Sequence, residues 1–198
     1  MKLATFRDGE TSKIGALSEE GMVCLTDAGS APHFRSMQAL IEGGDEALEE
    51  ARHLVETATS FLDAGEVELL APLPVPAQIR DCLCFREHLE NCAAAAPKLT
   101  AERQDGLQSA GQRLGGMGNP MLETFLKQPI YYKANRFAVT GTGTDIVWPA
   151  YSKIMDFELE LACVIGKQGT NISKDKAREH IFGFTIFNDL SARDAQMT

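Results

Sequence analysis

Three acidic residues alternate with apolar residues in the stretch DFELELACVIGK, which runs from Asp156 to Lys167. Successive side chains of a β-strand point to opposite faces, so Asp156, Glu158 and Glu160 would share one face. Carboxylates two residues apart lie about 7 Å apart at the Cβ level, so their head groups can converge on one hard cation. The alternative is a solvated strand face of alternating polarity. The spacing alone leaves both interpretations open.

A second polar group follows the apolar stretch IFGFTIFND, which is typical of a buried strand with Asp189 at its end. The next residues, SARDAQ, predict a helical turn with Ser191 as N-cap and Asp194 at the third helical position. Arg193 and Gln196 are three residues apart and would lie on one face of that turn. A guanidinium beside acidic residues can bind a carboxylate substrate bidentately. The structural alternative is an ion pair of Arg193 with Asp189 or Asp194.

The stretch DCLCFREHLEN places Asp81 seven residues before His88. Histidine titrates near neutral pH and is a natural general base, whereas the alternative is a surface histidine at the start of a helix. Cys82, Cys84 and Cys92 surround it, but the spacing C-x-C-x3-H-x3-C does not match the usual zinc sites. Buried or half-buried inert thiols are the preferred interpretation, and the odd total of five cysteines favours reduced thiols in a cytosol.

Residues 1–70 are predicted to form a small N-terminal α+β domain, rich in β-structure. Its strand candidates are MKLATFRDGE, SKIGALSEEG and MVCLTDAG, which are separated by glycines. A helix is predicted where apolar residues from Leu48 to Leu62 recur at helical spacing, with Gly65 as its end. The first domain therefore combines a small sheet with one long helix.

Residues 71–80 contain three prolines and are predicted to be a linker, because proline disfavours helix at its own and the preceding position. The second and larger domain would then occupy residues 81–198. Within it, residues 98–124 are rich in Gly, Gln and Met and have weak periodicity, which is typical of a long lid-like excursion.

The composition excludes several classes of protein. The formal net charge is -9 and the sequence pI is about 5.0, and no basic cluster is present that would neutralise phosphates, so no nucleic-acid partner is expected. No apolar run approaches the ~20 residues of a membrane span, and the N-terminus lacks the apolar core of a signal peptide. A globular, cytoplasmic protein with no membrane partner is expected.

The segments MDFELELACVIGK and HIFGFTIFNDLSARDAQ together resemble the fumarylacetoacetate hydrolase family, in which a D-x-E-x-E strand is followed by an N-D-x-S-A-R-D-x-Q turn. The resemblance implies an α+β fold in which a mixed, β-roll-like catalytic domain follows the small N-terminal domain. Residues 81–198 would be the N-terminal part of that catalytic domain. The family is usually dimeric, so a homodimer is expected, with a divalent metal at the site. Magnesium is the first expectation for this metal, with manganese and calcium as alternatives.

The resemblance also assigns roles to individual residues. The metal ligands would be four acids: Glu158, Glu160, Asp189 and Asp81, the last matching a ligand that only some members use. His88 would be the catalytic base. Arg193 and Gln196 would act in catalysis by contacting the substrate, and Tyr132 falls near a substrate-binding tyrosine. Asp156 belongs to the motif but would stay outside the ligand set.

Two departures from the family pattern stand out. Many bacterial members place a glutamate three residues after the histidine, where this chain has Asn91 beside Glu90. The family also continues beyond the R-D-x-Q turn with a part that carries a catalytic lysine, and this part is expected to be missing here.

The function implied is hydrolysis of a C–C bond in a β-diketo acid or an acylpyruvate-type 2-oxo acid, a small-molecule carboxylate. An isomerase, dehydratase or decarboxylase that uses the same enolate chemistry is the alternative within enzymes. A truncated, inactive relative that serves as a binding module is the alternative outside them.

Overall fold

A computed structural model of the chain describes residues 1–91, 94 and 120–196, with the backbone alone described at 120–122 and at Gln196. Most of the predicted lid, residues 98–119, lies outside this description, and so does Cys92. The chain divides into two compact units: the first comprises residues 1–76, 137–147 and 157–190, and the second comprises residues 77–136, 148–156 and 191–198. Helices and strands occur in both. The predicted division at the linker 71–80 stays a prediction.

Four antiparallel strands form the N-terminal sheet of the first unit in the order β3-β2-β1-β4. Their bounds are Lys2–Asp8 for β1, Thr11–Leu17 for β2, Met22–Cys24 for β3 and Glu68–Leu69 for β4. Strands β1 and β2 form a hairpin in which Asp8 lies opposite Thr11, and Gly9 in the turn has a φ of 60°, which glycine adopts without steric cost. The three first strands therefore occur where the glycine punctuation predicts them.

Three α-helices and a 3-10 turn cover this sheet: α1 at Leu25–Ala28, the turn at Pro32–Arg35, α2 at Met37–Glu42 and α3 at Gly44–Glu56. The prediction that the long helix ends at Gly65 is wrong. The helix ends at Glu56, and the hydroxyl of its C-cap, Thr57, donates to the carbonyl of His53 at 2.8 Å. Leu62, predicted to be helical, instead pairs with Met22 in an isolated β-bridge. Extended pairing with the sheet edge has overridden the helical periodicity.

The core of the first unit lies between the sheet and the helices. Its members are apolar side chains that are almost entirely buried: Ile14, Ala16, Val23, Leu25, Phe34, Met37, Leu40, Ile41, Ala47 and Ala51. Each buried aliphatic or aromatic side chain contributes roughly 1.5–3 kcal/mol through the hydrophobic effect. Residues of the more C-terminal strands of the unit pack against this cluster.

A long antiparallel ribbon, formed by β7 (Met155–Ile165) and β8 (Ile181–Ala192), carries the acidic motifs. Val164 on β7 and Phe182 on β8 pack against the buried core. Beyond the end of β7, the Nζ of Lys167 lies 2.9 Å from a carboxylate oxygen of Asp45 on α3. Packing and an ion pair therefore fix the distal end of the ribbon, while the acids lie nearer its other end.

The second unit contains a short antiparallel pair, β5 (Arg80–Leu83) with β6 (Ile130–Lys133). Among the described residues of this unit, three segments are helical: α4 at 86–91, α5 at Pro120–Phe125 and α6 at Arg193–Gln196. Leu89 on α4 is buried. Within the described ranges, no helix of either unit has the length and apolar character needed to span a bilayer.

Candidate functional site

Strand β7 places its two glutamates on the more protected face of the ribbon. Glu158 and Glu160 are half-buried, whereas Leu159 and Leu161, which point to the opposite face, are 76% and 71% exposed. A merely solvated polar face would show the reverse pattern, with the carboxylates in water and the leucines covered. The burial pattern therefore favours a role that holds these carboxylates together over the solvated-face alternative.

Strand β8 contributes the third acid. Asp189 is half-buried and lies inside β8, which continues to Ala192, so the prediction that Asp189 terminates its strand is wrong. The strand is prolonged because Arg193, directly after it, donates its backbone N–H to the carbonyl of Ile154 at 2.8 Å. This contact keeps the chain extended past the apolar residues from which the strand was predicted.

The three carboxylates converge. Each of Glu158, Glu160 and Asp189 offers an oxygen atom, and these atoms lie within 4.8 Å of one another. Oxygen ligands of one Mg²⁺ or Ca²⁺ lie about 2.0–2.6 Å from the ion, so two of them can be at most about 4–5 Å apart. Carboxylates so close repel one another, and a divalent cation would offset that repulsion. The donor set and its spacing fit a hard divalent metal.

Asp81, the predicted fourth ligand, belongs to the second unit. It is half-buried on β5 and lies directly opposite Tyr132 on β6. Residues opposite each other in an antiparallel pair present their side chains on the same face, so the predicted ligand and the predicted substrate-binding tyrosine are neighbours. His88, the predicted base, lies on the exposed side of α4.

Arg193 forms an ion pair that the sequence did not suggest. Its Nε and Nη2 lie 3.0 and 2.9 Å from Oδ2 of Asp156, the first acid of the D-x-E-x-E motif. The alternatives that the sequence offered were Asp189 and Asp194. The resemblance placed Asp156 outside the set of metal ligands, and in the structure Asp156 contacts Arg193 instead.

Ser191 is not the N-cap that the sequence predicted, and Asp194 is not the third residue of the helix. Ser191 belongs to β8, and the carboxylate of Asp194 accepts hydrogen bonds from the hydroxyl of Ser152 at 2.6 Å and from the backbone N–H of Lys153 at 2.7 Å. Ser152 is only 5% exposed. The prediction of the cap fails because Ser191 is part of β8 and because Ser152 and Lys153, far away in the sequence, donate hydrogen bonds to the carboxylate of Asp194. Ser152 itself carries no sequence signal that would mark it.

Gln196 is the last residue of α6, one turn after Arg193, and its side chain lies outside the described atoms. Its role in binding substrate therefore stays a prediction.

Cys82, Cys84 and His88 are not part of any cluster of potential metal ligands among the described residues. Cys82 and Cys84 are exposed, which corrects the expectation of buried thiols. In the part of the chain that the structure describes, no group of three potential metal ligands includes a cysteine. Partial burial, then Cys84 and Asp81, raise the pKa of the Cys82 thiol, so its reactive thiolate form is less populated at neutral pH than that of an ordinary thiol. The prediction of inert chemistry at Cys82 therefore does not depend on burial in a core.

Similarity to known proteins agrees with the geometry. The family model described as fumarylacetoacetate (FAA) hydrolase C-terminal matches residues 78–198, more than half of the chain. The oxaloacetate tautomerase fahd2 of Xenopus laevis, a mitochondrial protein, is 27% identical over 201 residues, which cover 100% of this chain and 54% of that protein. The oxaloacetate tautomerase YisK of Bacillus subtilis is 34% identical over 172 residues, with coverages of 81% and 48%. The chain thus spans about half the length of these relatives.

Solved structures show the same fold. The fumarylacetoacetate hydrolase of Exiguobacterium antarcticum superposes with a TM-score of 0.65 at 21% identity, covering 99% of this chain and 58% of that one. The maleylpyruvate hydrolase of Sphingobium sp. SYK-6 superposes with a TM-score of 0.60 at 20% identity, with coverages of 98% and 59%. Together with the match of the family model, these findings show that the chain belongs to the fumarylacetoacetate hydrolase family.

Proposed function

We propose that the protein is a divalent-metal-dependent enzyme that acts on a 2-oxo acid through its enol, and that its reaction is the keto–enol tautomerisation of an oxaloacetate-type acid. The observation that carries the proposal is the convergence of Glu158, Glu160 and Asp189 within 4.8 Å. The choice of tautomerisation is supported by the two tautomerases that align over 81% and 100% of the chain.

The three carboxylates would hold the metal, with Asp81 as the fourth ligand that the resemblance implies. A bound divalent ion supplies Lewis-acid polarisation of the substrate's carbonyl and carboxylate oxygens. Oxygen ligands suit Mg²⁺, Mn²⁺ and Ca²⁺, with Mg²⁺ as the first expectation.

The chain's own groups would bind the substrate and move the proton. In the ketone, His88 removes a proton from the carbon next to the carbonyl, and the carbonyl oxygen gains a proton to give the enol. The reverse transfer regenerates the ketone, so the mass of the substrate does not change. Arg193 would bind a substrate carboxylate, assisted by Gln196 and by Tyr132, which is half-exposed on β6.

C–C bond hydrolysis is the second candidate. It is favoured by the exposure of His88, because an imidazole that meets solvent is able to take a proton from a water molecule. Attack of the resulting hydroxide on a carbonyl would break the C–C bond of a β-diketo acid and release two carboxylic products. Both candidates share the enolate and the same carboxylate binding, so only the products separate them. A homodimer is proposed for either reaction.

The first experiment measures Mn²⁺ binding to the purified full-length protein by titration calorimetry. Glu158→Gln keeps the size of the side chain and removes one charge, and it should weaken binding at least ~100-fold, beyond the 10–100-fold typical of supporting residues. Asp175→Asn removes an exposed charge between β7 and β8 and is the matched control. Unchanged affinity in Glu158→Gln would overturn the metal assignment.

The second experiment follows the reaction with oxaloacetate and with an acylpyruvate in heavy water, by ultraviolet absorbance and mass spectrometry. Tautomerisation should accelerate decay of the enol, incorporate deuterium at the carbon next to the carbonyl and leave the carbon skeleton intact. Hydrolysis should give two products instead. Metal binding without either reaction would support the alternative that lies outside enzymes, a binding module without activity.

A further inference from the structure

The first acid of the D-x-E-x-E motif has a partner of its own. Asp156 Oδ2 accepts from both Nε and Nη2 of Arg193, at 3.0 and 2.9 Å, so one carboxylate oxygen holds one edge of the guanidinium. Both residues belong to the second unit. This contact gives Asp156 a function that differs from that of the two glutamates that follow it on β7.

The backbone around Arg193 is held by the same segment that carries Asp156. Arg193 donates its N–H to the carbonyl of Ile154 at 2.8 Å, and the next residue, Asp194, accepts from Ser152 and from the N–H of Lys153. Residues 152–156 therefore contact the turn at its main chain, at its acidic side chain and at the guanidinium. The helix that starts there is one turn long and cannot by itself fix a side chain as long as arginine.

The ion pair contributes more to orientation than to stability. The side chain of Arg193 is 22% exposed and that of Asp156 is 47% exposed. Ion pairs with such access to water contribute little to folding free energy. They do restrict the rotamers of a flexible arginine, and a binding group whose rotamer is fixed in advance loses less entropy when it meets its ligand.

We propose that Asp156 is a positioning residue that aims the guanidinium of Arg193 at the carboxylate of the substrate, and thereby sets the preference of the enzyme for carboxylate substrates. This inference rests on the proposed function, because it needs Arg193 to bind the substrate. Asp156 engages the Nε edge of the guanidinium. Arginine binds carboxylates through paired hydrogen bonds, so the orientation of its guanidinium decides how well a substrate carboxylate is held.

The test compares carboxylate ligands with matched amides. Binding of pyruvate and of pyruvamide, in which an amide replaces the single carboxylate, to the Mn²⁺-loaded, full-length protein is measured by calorimetry, and KM and kcat are measured with oxaloacetate. In Asp156→Ala, pyruvate affinity should fall about tenfold and KM should rise to match, whereas pyruvamide affinity should change less than twofold; a tenfold change is at the lower limit for a hydrogen bond to a charged group. Asp156→Asn keeps an acceptor oxygen in place and should lie between Asp156→Ala and the wild type.

Two further measurements separate positioning from a merely structural role. The melting temperature and Mn²⁺ affinity of Asp156→Ala should match those of the exposed-charge control Asp175→Ala. In an Arg193→Ala background, Asp156→Ala should have no further effect on the ratio of pyruvate affinity to pyruvamide affinity, because the guanidinium that Asp156 orients has been removed.

The outcomes are distinct. An equal loss of pyruvate and pyruvamide affinity in Asp156→Ala, or full additivity with Arg193→Ala, would overturn the positioning role while the proposed function stands. If the wild-type protein binds neither ligand and converts no 2-oxo acid, the proposed function fails and this inference fails with it.

Discussion

The partly buried contact between Asp194 and Ser152 should make Asp194 a major determinant of stability in the turn that carries Arg193. The carboxylate accepts from the Ser152 hydroxyl at 2.6 Å and from the Lys153 N–H at 2.7 Å. Hydrogen bonds to a charged group contribute about 1.5–3 kcal/mol each, which gives about 3–6 kcal/mol for two. Because Asp194 is itself half-exposed, we expect Asp194→Ala to reduce the free energy of unfolding by about 2–4 kcal/mol.

The assay is urea unfolding followed by circular dichroism, on Asp194→Ala, Ser152→Ala and the double variant. Ser152→Ala should cost about 1–2 kcal/mol, because Asp194 keeps its bond to Lys153. The double variant should cost less than the sum by about 1–2 kcal/mol, since removing both partners leaves no stranded hydroxyl donor. Asp175→Ala, an exposed charge, should change stability by less than about 0.5 kcal/mol.

Two results would refute this reasoning. Strict additivity of the two single changes would show that the Asp194–Ser152 contact is not energetically coupled. A loss in Asp194→Ala no larger than in Asp175→Ala would show that neither hydrogen bond contributes.

Other regions give sharp expectations too. Lys13 first, and then Cys24, lower the pKa of Asp27, so the stability that Asp27 contributes is present above its unfolded pKa of 3.8 and is lost as the pH falls through the lower folded value. Lys13→Met should therefore reduce the fall in melting temperature at acidic pH. An unchanged dependence of melting temperature on acidic pH would contradict this prediction. The Cys82 thiol, whose pKa is raised first by partial burial, should react with iodoacetamide more slowly at neutral pH than the cysteine of an unstructured peptide, as mass spectrometry would show; an equal or faster rate would count against it. Phe34 is 1% exposed in the core, so Phe34→Ala should lower the free energy of unfolding by about 3–5 kcal/mol in urea unfolding. A loss below ~1 kcal/mol would mean that the core described for the first unit is wrong.

Strands and motifs were predictable wherever the signal is local. Alternating polarity identified β7, and an unbroken apolar run identified most of β8, so the two strands that carry the three acids followed from side-chain periodicity. The short helices α1 and α2 were not predicted, because segments of four and six residues give too few repeats of a helical pattern. Their formation depends on burial of Leu25 and Leu40 in the core.

The errors arose where a distant residue decides. Leu62 pairs with Met22, forty residues earlier in the chain, although local periodicity extends helix α3 past its end at Glu56 to Leu62. The carboxylate of Asp194 accepts hydrogen bonds from donors some forty positions earlier in the chain, and no local capping rule detects such donors. The pairing of Asp156 with Arg193 is likewise a tertiary contact: each residue was found by its motif, but their contact was not predictable from spacing.

The discontinuity of the first unit has a consequence for the order in which the chain folds. Residues 1–76 contain the N-terminal sheet, its helices and the buried core, whereas the ribbon of β7 and β8 that packs on that core through Val164 and Phe182 comes about a hundred residues later. Contacts close in sequence form early, and distant ones carry the larger loop-closure entropy. During synthesis, the core is therefore expected to fold on the ribosome first and to serve as a template for the ribbon. Glu158, Glu160 and Asp189 would come together only after Asp189 has left the exit tunnel, so the candidate metal site would form after the N-terminal core.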